Sequence, residues 1–364
     1  AYAALADVAS QTWYDGTSTR VGSYINGIGN SDLAWERTES INVGLDVGLI
    51  ENRINFSLDY YDSRTTDLLM NRRLPALTGF DNVTVNLGEL GNKGFEMSLN
   101  SVNISSENLN WSSNFVFSLN RNKIRELFGD TGEYRLLGET HTGEVPDFDN
   151  EWFPGRALDE VWGYDVVGVW QVDEAEEAAE YGMRPGDFKA VDPNSDGRYV
   201  DLDDKQFIGF TEPRYRLGLR NKVDFLGNWS ASVFVRADLG HIGSYSGALN
   251  GGAESNDRRS RNVGPIPYWT PENPINDYAR LDVSTSGYGG GLMIYKPRSF
   301  VRIQDATLSY TVPSEITEKV QLQNVRIYAS GRNIATFTKW PHWDPETGDT
   351  PLARSFILGL NLSF

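Results

Sequence analysis

The chain has 364 residues, with 50 acidic against 33 basic side chains for a net charge of −17, no cysteine, 36 glycines, and 12% aromatic within only 39% apolar residues. Scattered basic residues on an acidic chain argue against nucleic acid as a partner, since phosphate neutralisation needs a basic surface, and the absence of cysteine excludes disulfides and thiolate chemistry. No run approaches the roughly 18 apolar residues of a membrane helix, which leaves open membrane strands, whose apolar face is hidden in a period-two alternation.

The first residues, Ala-Tyr-Ala-Ala-Leu, carry neither Met nor a basic segment before an apolar stretch, so no signal peptide is expected among them. Strict alternation starts at Ile41, Val43, Leu45, Val47 and Leu49, passes a two-residue turn at Glu51-Asn52, and returns through Ile54, Phe56, Leu58 and Tyr60. Two long alternating runs joined this closely predict a hairpin. A second pair runs through Phe95, Met97 and Leu99, turns at Ser105–Asn108, and continues through Leu109, Trp111, Phe115, Phe117 and Leu119. The third pair uses Tyr215, Leu217 and Leu219, then Trp229, Ala231, Val233 and Val235 after a turn at Leu226-Gly227. Ala306, Leu308, Tyr310 and Val312 precede Val325, Ile327 and Ala329, and the last strand is Phe356, Leu358, Leu360, Leu362 and Phe364.

Nine strands result, mostly about 9–12 residues long, nearer a tilted membrane strand than the 5–6 residues usual in globular sheets. Their connections alternate without exception. Those after strands one, three, five and seven are short; those after two, four, six and eight span about Met70 to Asn92, Asn122 to Glu212, His241 to Arg298 and Ile334 to Ala353. A sandwich has no reason to gather its long loops at one end, whereas an outer-membrane barrel does. Arg214, Arg216, Arg220, Arg326 and Arg332 fall opposite the apolar positions. They fit a wet lumen and an ordinary solvated face equally well. A terminal Phe364 on an amphipathic last strand resembles the assembly signal of bacterial outer-membrane proteins.

Several segments in order then resemble the C-terminal half of a SusC/RagA-type TonB-dependent outer-membrane transporter of Bacteroidota. They are Leu33-Ala-Trp35-Glu-Arg-Thr38, Asn86-Leu-Gly-Glu-Leu-Gly-Asn-Lys-Gly-Phe-Glu96, Gly163-Tyr164 with Gly168-Val-Trp170-Gln171, and Gly186-Asp-Phe-Lys189. Further on come Asp192-Pro-Asn-Ser-Asp-Gly197, Trp269-Thr-Pro-Glu-Asn-Pro274, Arg332-Asn-Ile-Ala-Thr-Phe-Thr338 and Asp344-Pro-Glu346. The resemblance covers essentially the whole chain. It implies an all-β fold, an antiparallel transmembrane β-barrel segment of about nine C-terminal strands from a 22-stranded barrel, with long extracellular loops. Residues 1–39 would be an extracellular loop leading into the barrel and 40–364 its C-terminal part. At roughly 40 residues per strand, 22 strands need roughly 900 residues, so the plug and TonB box are expected outside this sequence.

The resemblance also implies a location in the cell outer membrane and contact with its lipid. Partners would be a SusD-like lipoprotein lid, TonB-ExbB-ExbD acting through the absent plug, and a glycan or peptide substrate. Two rivals stay open: a soluble secreted calcium-dependent carbohydrate-binding β-protein, and a small passive porin.

The sharpest local signal is Asp192-Pro-Asn194-Ser-Asp196-Gly197-Arg198, continuing to Asp203. Oxygen ligands at positions one, three and five, glycine at six, a backbone carbonyl at seven and a carboxylate at twelve follow a Ca²⁺ loop. The expected ligands of a structural Ca²⁺ are thus Asp192, Asn194, Asp196, Arg198 by its carbonyl, and Asp203; an ion-free acidic turn is the competing reading. In the long loops Tyr268, Trp269, Tyr278, Trp340 and Trp343 are candidates for contact with substrate or lid, against loop packing or a membrane-interface girdle. Catalysis has no footing: His141, His241 and His342 are far apart in the sequence, and no nucleophile, phosphate-loop or dinucleotide motif occurs.

Overall fold

The computed structural model describes residues 5–245, 267–281, 283, 285, 287–288, 291–348 and 350–364. Part of the expected connection from His241 to Arg298, and the first four residues of the expected N-terminal loop, therefore lie outside the described residues. One nine-stranded antiparallel sheet dominates. Its strands are β1 (Arg37–Leu49), β2 (Ile54–Thr66), β3 (Glu89–Ser105), β4 (Leu109–Glu126), β5 (Tyr215–Phe225), β6 (Trp229–Leu239), β7 (Phe300–Thr311), β8 (Asn324–Thr338) and β9 (Ser355–Ser363). Each pairs with its neighbour in sequence, so spatial order equals chain order from β1 to β9.

The register sorts the alternation into two faces. Leu45 pairs with Leu58, Leu58 with Met97, Met97 with Phe117, Phe117 with Leu217 and Leu217 with Ala237, one apolar row across six strands. The next row is polar: Gly44, Asp59, Glu96, Ser118, Arg216 and Asp238. No second sheet covers the apolar face among the described residues. Leu45 is 54% exposed and Leu358 80%. A soluble sandwich hides that face against a partner sheet, and an uncovered band of this extent marks a surface made for lipid or another apolar phase. The soluble rival is thereby disfavoured.

Two expectations about strand limits change. The turn after β1 is four residues and not two: Ile50, Glu51 and Asn52 all take left-handed backbone, at φ 52°, 52° and 62°, and Arg53 N–H bonds to the Ile50 carbonyl at 3.0 Å. Strands β7 and β8 are longer than their alternation indicates because a bulge interrupts it. Val235 faces Ile303 but Phe234 faces Asp305, and across β8 Ile303 faces Ala335 while Asp305 faces Arg332. Gln304 is the extra residue on β7. Opposite it Asn333 sits at φ 53° and accepts a hydrogen bond from the Gln304 amide at 3.1 Å. Without that slip, Arg302 would point away from the polar face.

Tyrosine rings lie flat over glycines on the polar face. A Cβ on Gly94 would overlap the Tyr61 ring, and one on Gly359 would overlap Tyr328. Both pairs are direct cross-strand neighbours, Tyr61 with Gly94 and Tyr328 with Gly359.

Most of the buried core lies outside the sheet, whose own buried apolar side chains among the described residues are Ile124, Ala237 and Phe300. Tyr164, Val169, Trp170, Met183, Phe188, Tyr199, Tyr245, Trp269, Tyr288, Ile294 and Trp340 form one cluster. It draws on three of the long connections, those after β4, β6 and β8. Three of the four long connections thus form a packed layer on one end of the sheet.

Candidate functional site

The polar face carries an ion-pair network where β6 and β7 approach that layer. Arg302 is 1% exposed. Its Nη2 donates to Asp344 Oδ2 at 2.6 Å, Nη1 to Glu346 Oε2 at 2.7 Å, and Nε to Thr336 Oγ1 at 3.0 Å. Arg236, its cross-strand partner, lies 2.7 Å from Glu346 Oε2 in ion-pair geometry without an aligned hydrogen bond. Arg298 adds hydrogen bonds to the Pro345 and Glu346 carbonyls at 2.6 and 3.1 Å. Three arginines thus hold the Asp344-Pro-Glu346 segment of the β8–β9 connection against the sheet's polar face. Buried guanidinium is tolerated only with carboxylates and hydrogen bonds arranged this fully.

Beneath that segment a 740 Å³ cleft opens along the wall, lined by Asp59, Glu96, Ser98, Arg216, Arg236, Asp238 and Glu346 among others. Both charge signs and hydroxyls line it, as suits a polar solute or a protein surface. Sequence reasoning placed Arg216 on this face and singled out Asp344-Pro-Glu346 within the family resemblance, but it missed Arg302, because the bulge hides its phase, and with it the long-range pairing of these carboxylates.

The aromatic candidates divide by burial. Trp269 and Trp340 are each 6% exposed and belong to the loop core. Trp269 donates from its indole nitrogen to Gln171 Oε1 at 2.9 Å, and Trp340 stands edge-on to Tyr245 at 5.7 Å. Tyr278 is half-buried and packs on the same core. Tyr268 and Trp343 remain outside it, 39% and 68% exposed. Of the five candidates these two present the most exposed rings, with Trp343 standing edge-on to His342 at 6.0 Å.

The acidic loop lies in the connection between β4 and β5. Asp192 accepts from the N–H groups of Ser195 and Gly197, at 2.8 and 3.1 Å, and from the Tyr181 hydroxyl at 2.9 Å. Asn194 Oδ1 accepts from Asp196 N–H, and Asp196 Oδ1 from Arg198 N–H. Gly197 takes φ 77°, the conformation the turn requires and glycine supplies without strain. The helical turn α1 (Ala175–Glu180) precedes the loop and α2 (Asp201–Asp204) closes it.

Asp203 is paired with Arg135 of the hairpin over residues 131–144. Asp204 instead is wholly buried, with Oδ2 accepting from Val200 N–H at 2.7 Å and Oδ1 unpartnered. Burial, and behind it the carboxylates of Asp192, Asp196 and Asp203, push its pKa up to about 6 against the Val200 hydrogen bond. Burial together with Asp192 also raises the Tyr181 phenol, which keeps it a donor. Among the described residues no three Asp, Glu or His side chains converge as they stand into a metal cluster.

Comparison with known proteins agrees with this architecture. The family model described as TonB dependent receptor-like, beta-barrel matches residues 4–334. TonB-dependent receptor P3 of Formosa agariphila is 31% identical over 94% of the chain and 36% of its own length. TonB-dependent receptor SusC of Bacteroides thetaiotaomicron is 27% identical over 92% of the chain and 32% of its own length. Solved structures of the RagAB peptide transporter, and of the RagAB peptide importer in its open-open state, superpose over the whole chain with TM-scores of 0.73 and 0.74. They do so at 22% and 21% identity, covering 39% and 38% of those chains, a likeness of fold. The chain spans about a third of the length of the curated relatives it matches. With its sequential nine-stranded sheet, uncovered apolar face and long connections gathered at one end, the chain belongs to the TonB-dependent receptor β-barrel family.

Proposed function

We propose that the chain is the C-terminal barrel portion of an active outer-membrane importer of glycans or peptides. The observation that carries this reading is the two-faced sheet: an apolar band outside, a charged wall inside, and a folded layer of long connections at one end only. In a barrel the band meets lipid and the wall lines the lumen. The layer would stand on the extracellular side and meet a SusD-like lipoprotein lid, with substrate held between lid and barrel. Energy would come from TonB-ExbB-ExbD through a plug encoded elsewhere in the protein. Exposed Tyr268 and Trp343 would supply the first rings at that rim.

The chain lacks cysteine, so single cysteines report its sidedness. In intact cells Ser195→Cys of the full-length protein is expected to label with an impermeant maleimide, and Asn52→Cys only after lysis. The reverse pattern would sink the orientation. Uptake that persists unchanged after loss of TonB would favour the passive porin, and copurification with a lipoprotein lid would favour the importer.

A further inference from the structure

We propose that residues 192–204 form a Ca²⁺ site closed by Asp204, one position later than the sequence spacing indicates. This goes beyond the transport reading and does not depend on it. The case starts from what Asp204 lacks. A carboxylate removed from water costs several kcal/mol unless paired, and this one is wholly buried with one oxygen bonded to Val200 N–H and the other to nothing. The charges that act on it most are the carboxylates of Asp192, Asp196 and Asp203, and Arg135 in the same cluster is paired with Asp203. A proton, a buried water or a bound cation resolves such a group.

The loop then says which. Asp192, Asn194 and Asp196 occupy positions one, three and five, and Gly197 at position six turns the chain. With the Arg198 carbonyl and Asp204, the donors are all oxygen and include three carboxylates. That is a hard, many-oxygen set of the kind Ca²⁺ takes, where Mg²⁺ retains several waters and demands near-ideal octahedral geometry. Asp192 Oδ1 and Asp196 Oδ1 each accept one loop N–H and keep a further lone-pair direction for an ion, while Asp192 Oδ2 is taken up by Gly197 N–H and the Tyr181 hydroxyl.

The shift of one residue has a simple origin. Successive side chains on a helical turn point about 100° apart, so α2 cannot aim Asp203 and Asp204 the same way. Asp203 goes to Arg135; Asp204 folds back on Val200 inside the loop. The site is braced from below: Tyr181 holds Asp192, and Tyr199 at position eight stacks on Tyr288 at 4.5 Å. An ion here would tie the acidic loop to the aromatic core. On the extracellular side proposed above, a site of this kind would be occupied even at a Kd of about 10⁻⁴–10⁻³ M.

The test uses the full-length transporter, stripped with chelator in detergent, with Tb³⁺ luminescence excited through tyrosine and Ca²⁺ as competitor. Tyr181 and Tyr199 are the antennae. Asp204→Asn is expected to weaken the Ca²⁺-competed signal by about tenfold or more, and Asp203→Asn by less than about threefold. Asp196→Asn, at an exposed position, serves as a second ligand variant should Asp204→Asn fail to fold, and is expected to weaken binding similarly. Loss with Asp203→Asn but not Asp204→Asn overturns the register. An identical signal in wild type, Asp204→Asn and Asp196→Asn overturns the site, leaving Asp204 satisfied by a proton or a buried water. Competition by Mg²⁺ as effective as that by Ca²⁺ overturns the choice of ion.

Discussion

Arginine placed along the outward face of β1 should trace the depth of the membrane. Ile41, Val43, Leu45, Val47 and Leu49 all point outward, and Leu45 is the middle one. A strand rises about 3.3 Å per residue and tilts about 40° in a barrel, so successive outward residues differ in depth by about 5 Å. Ile41 and Leu49 then lie about 10 Å either side of Leu45, close to the edges of an apolar band about 25 Å tall. Leu45→Arg is expected to cost about 2–4 kcal/mol, and Ile41→Arg or Leu49→Arg about 0–1 kcal/mol. Asp46→Arg, one residue on and facing the polar side, should cost under about 1 kcal/mol. Reversible denaturant unfolding of the full-length protein in lipid vesicles, followed by tryptophan fluorescence, would give the profile. A flat profile, or equal costs at Leu45 and Asp46, would refute the lipid-facing assignment.

Gly94→Ala drives a methyl into the Tyr61 ring and should destabilise by about 1–3 kcal/mol, a cost that Tyr61→Ala should relieve in a double-mutant cycle. Arg302→Met leaves Asp344 buried without its guanidinium, so we expect a loss of about 3–5 kcal/mol and faster proteolysis of the β8–β9 connection; partial recovery in Arg302→Met with Asp344→Leu would confirm the pairing. Trp269→Ala should destabilise the loop layer by about 3–5 kcal/mol, whereas Trp343→Ala should leave stability within about 0.5 kcal/mol and, under the proposed function, show its effect only on the affinity for substrate or lid. His241 is pulled down to about 4 by burial, with Arg298 and Arg216 adding to it, while an unfolded histidine titrates near 6.5. The contribution of its neutral ring is complete above about pH 6.5 and lost as pH falls toward 4. Hydrogen-exchange protection of residues 239–245 should fall across that window, and His241→Gln should abolish the dependence.

What the sequence reveals follows from the length scale of each interaction. All nine strands are legible because lipid on one side and water on the other impose alternation residue by residue. That signal fades where β3 begins at Glu89-Leu90-Gly91-Asn92, beyond the apolar band, and it breaks at Gln304, where one extra residue reverses the phase. Neither Arg302 nor its carboxylates can be found from local pattern, since Asp344 and Glu346 lie more than 40 positions away. The acidic loop is visible as a spacing. Which of two adjacent aspartates would close the proposed ion site depends on the twist of a four-residue helical turn, and no spacing rule carries that twist. Trp269 and Trp340 look like surface aromatics because their neighbours in sequence are polar; their neighbours in space are one another's core.

That shared core limits how the protein can diversify. Trp170 and Phe188 from one connection, Trp269 and Ile294 from a second, and Trp340 from a third are mutually dependent, so a loop that changes alone leaves voids in the other two. New specificity is then accessible by two routes: point changes at rim positions such as Tyr268 and Trp343, or inheritance of all three connections as a cassette. Grafting one connection between relatives should give unstable receptors, while grafting the three together should give folded ones with the donor's preference.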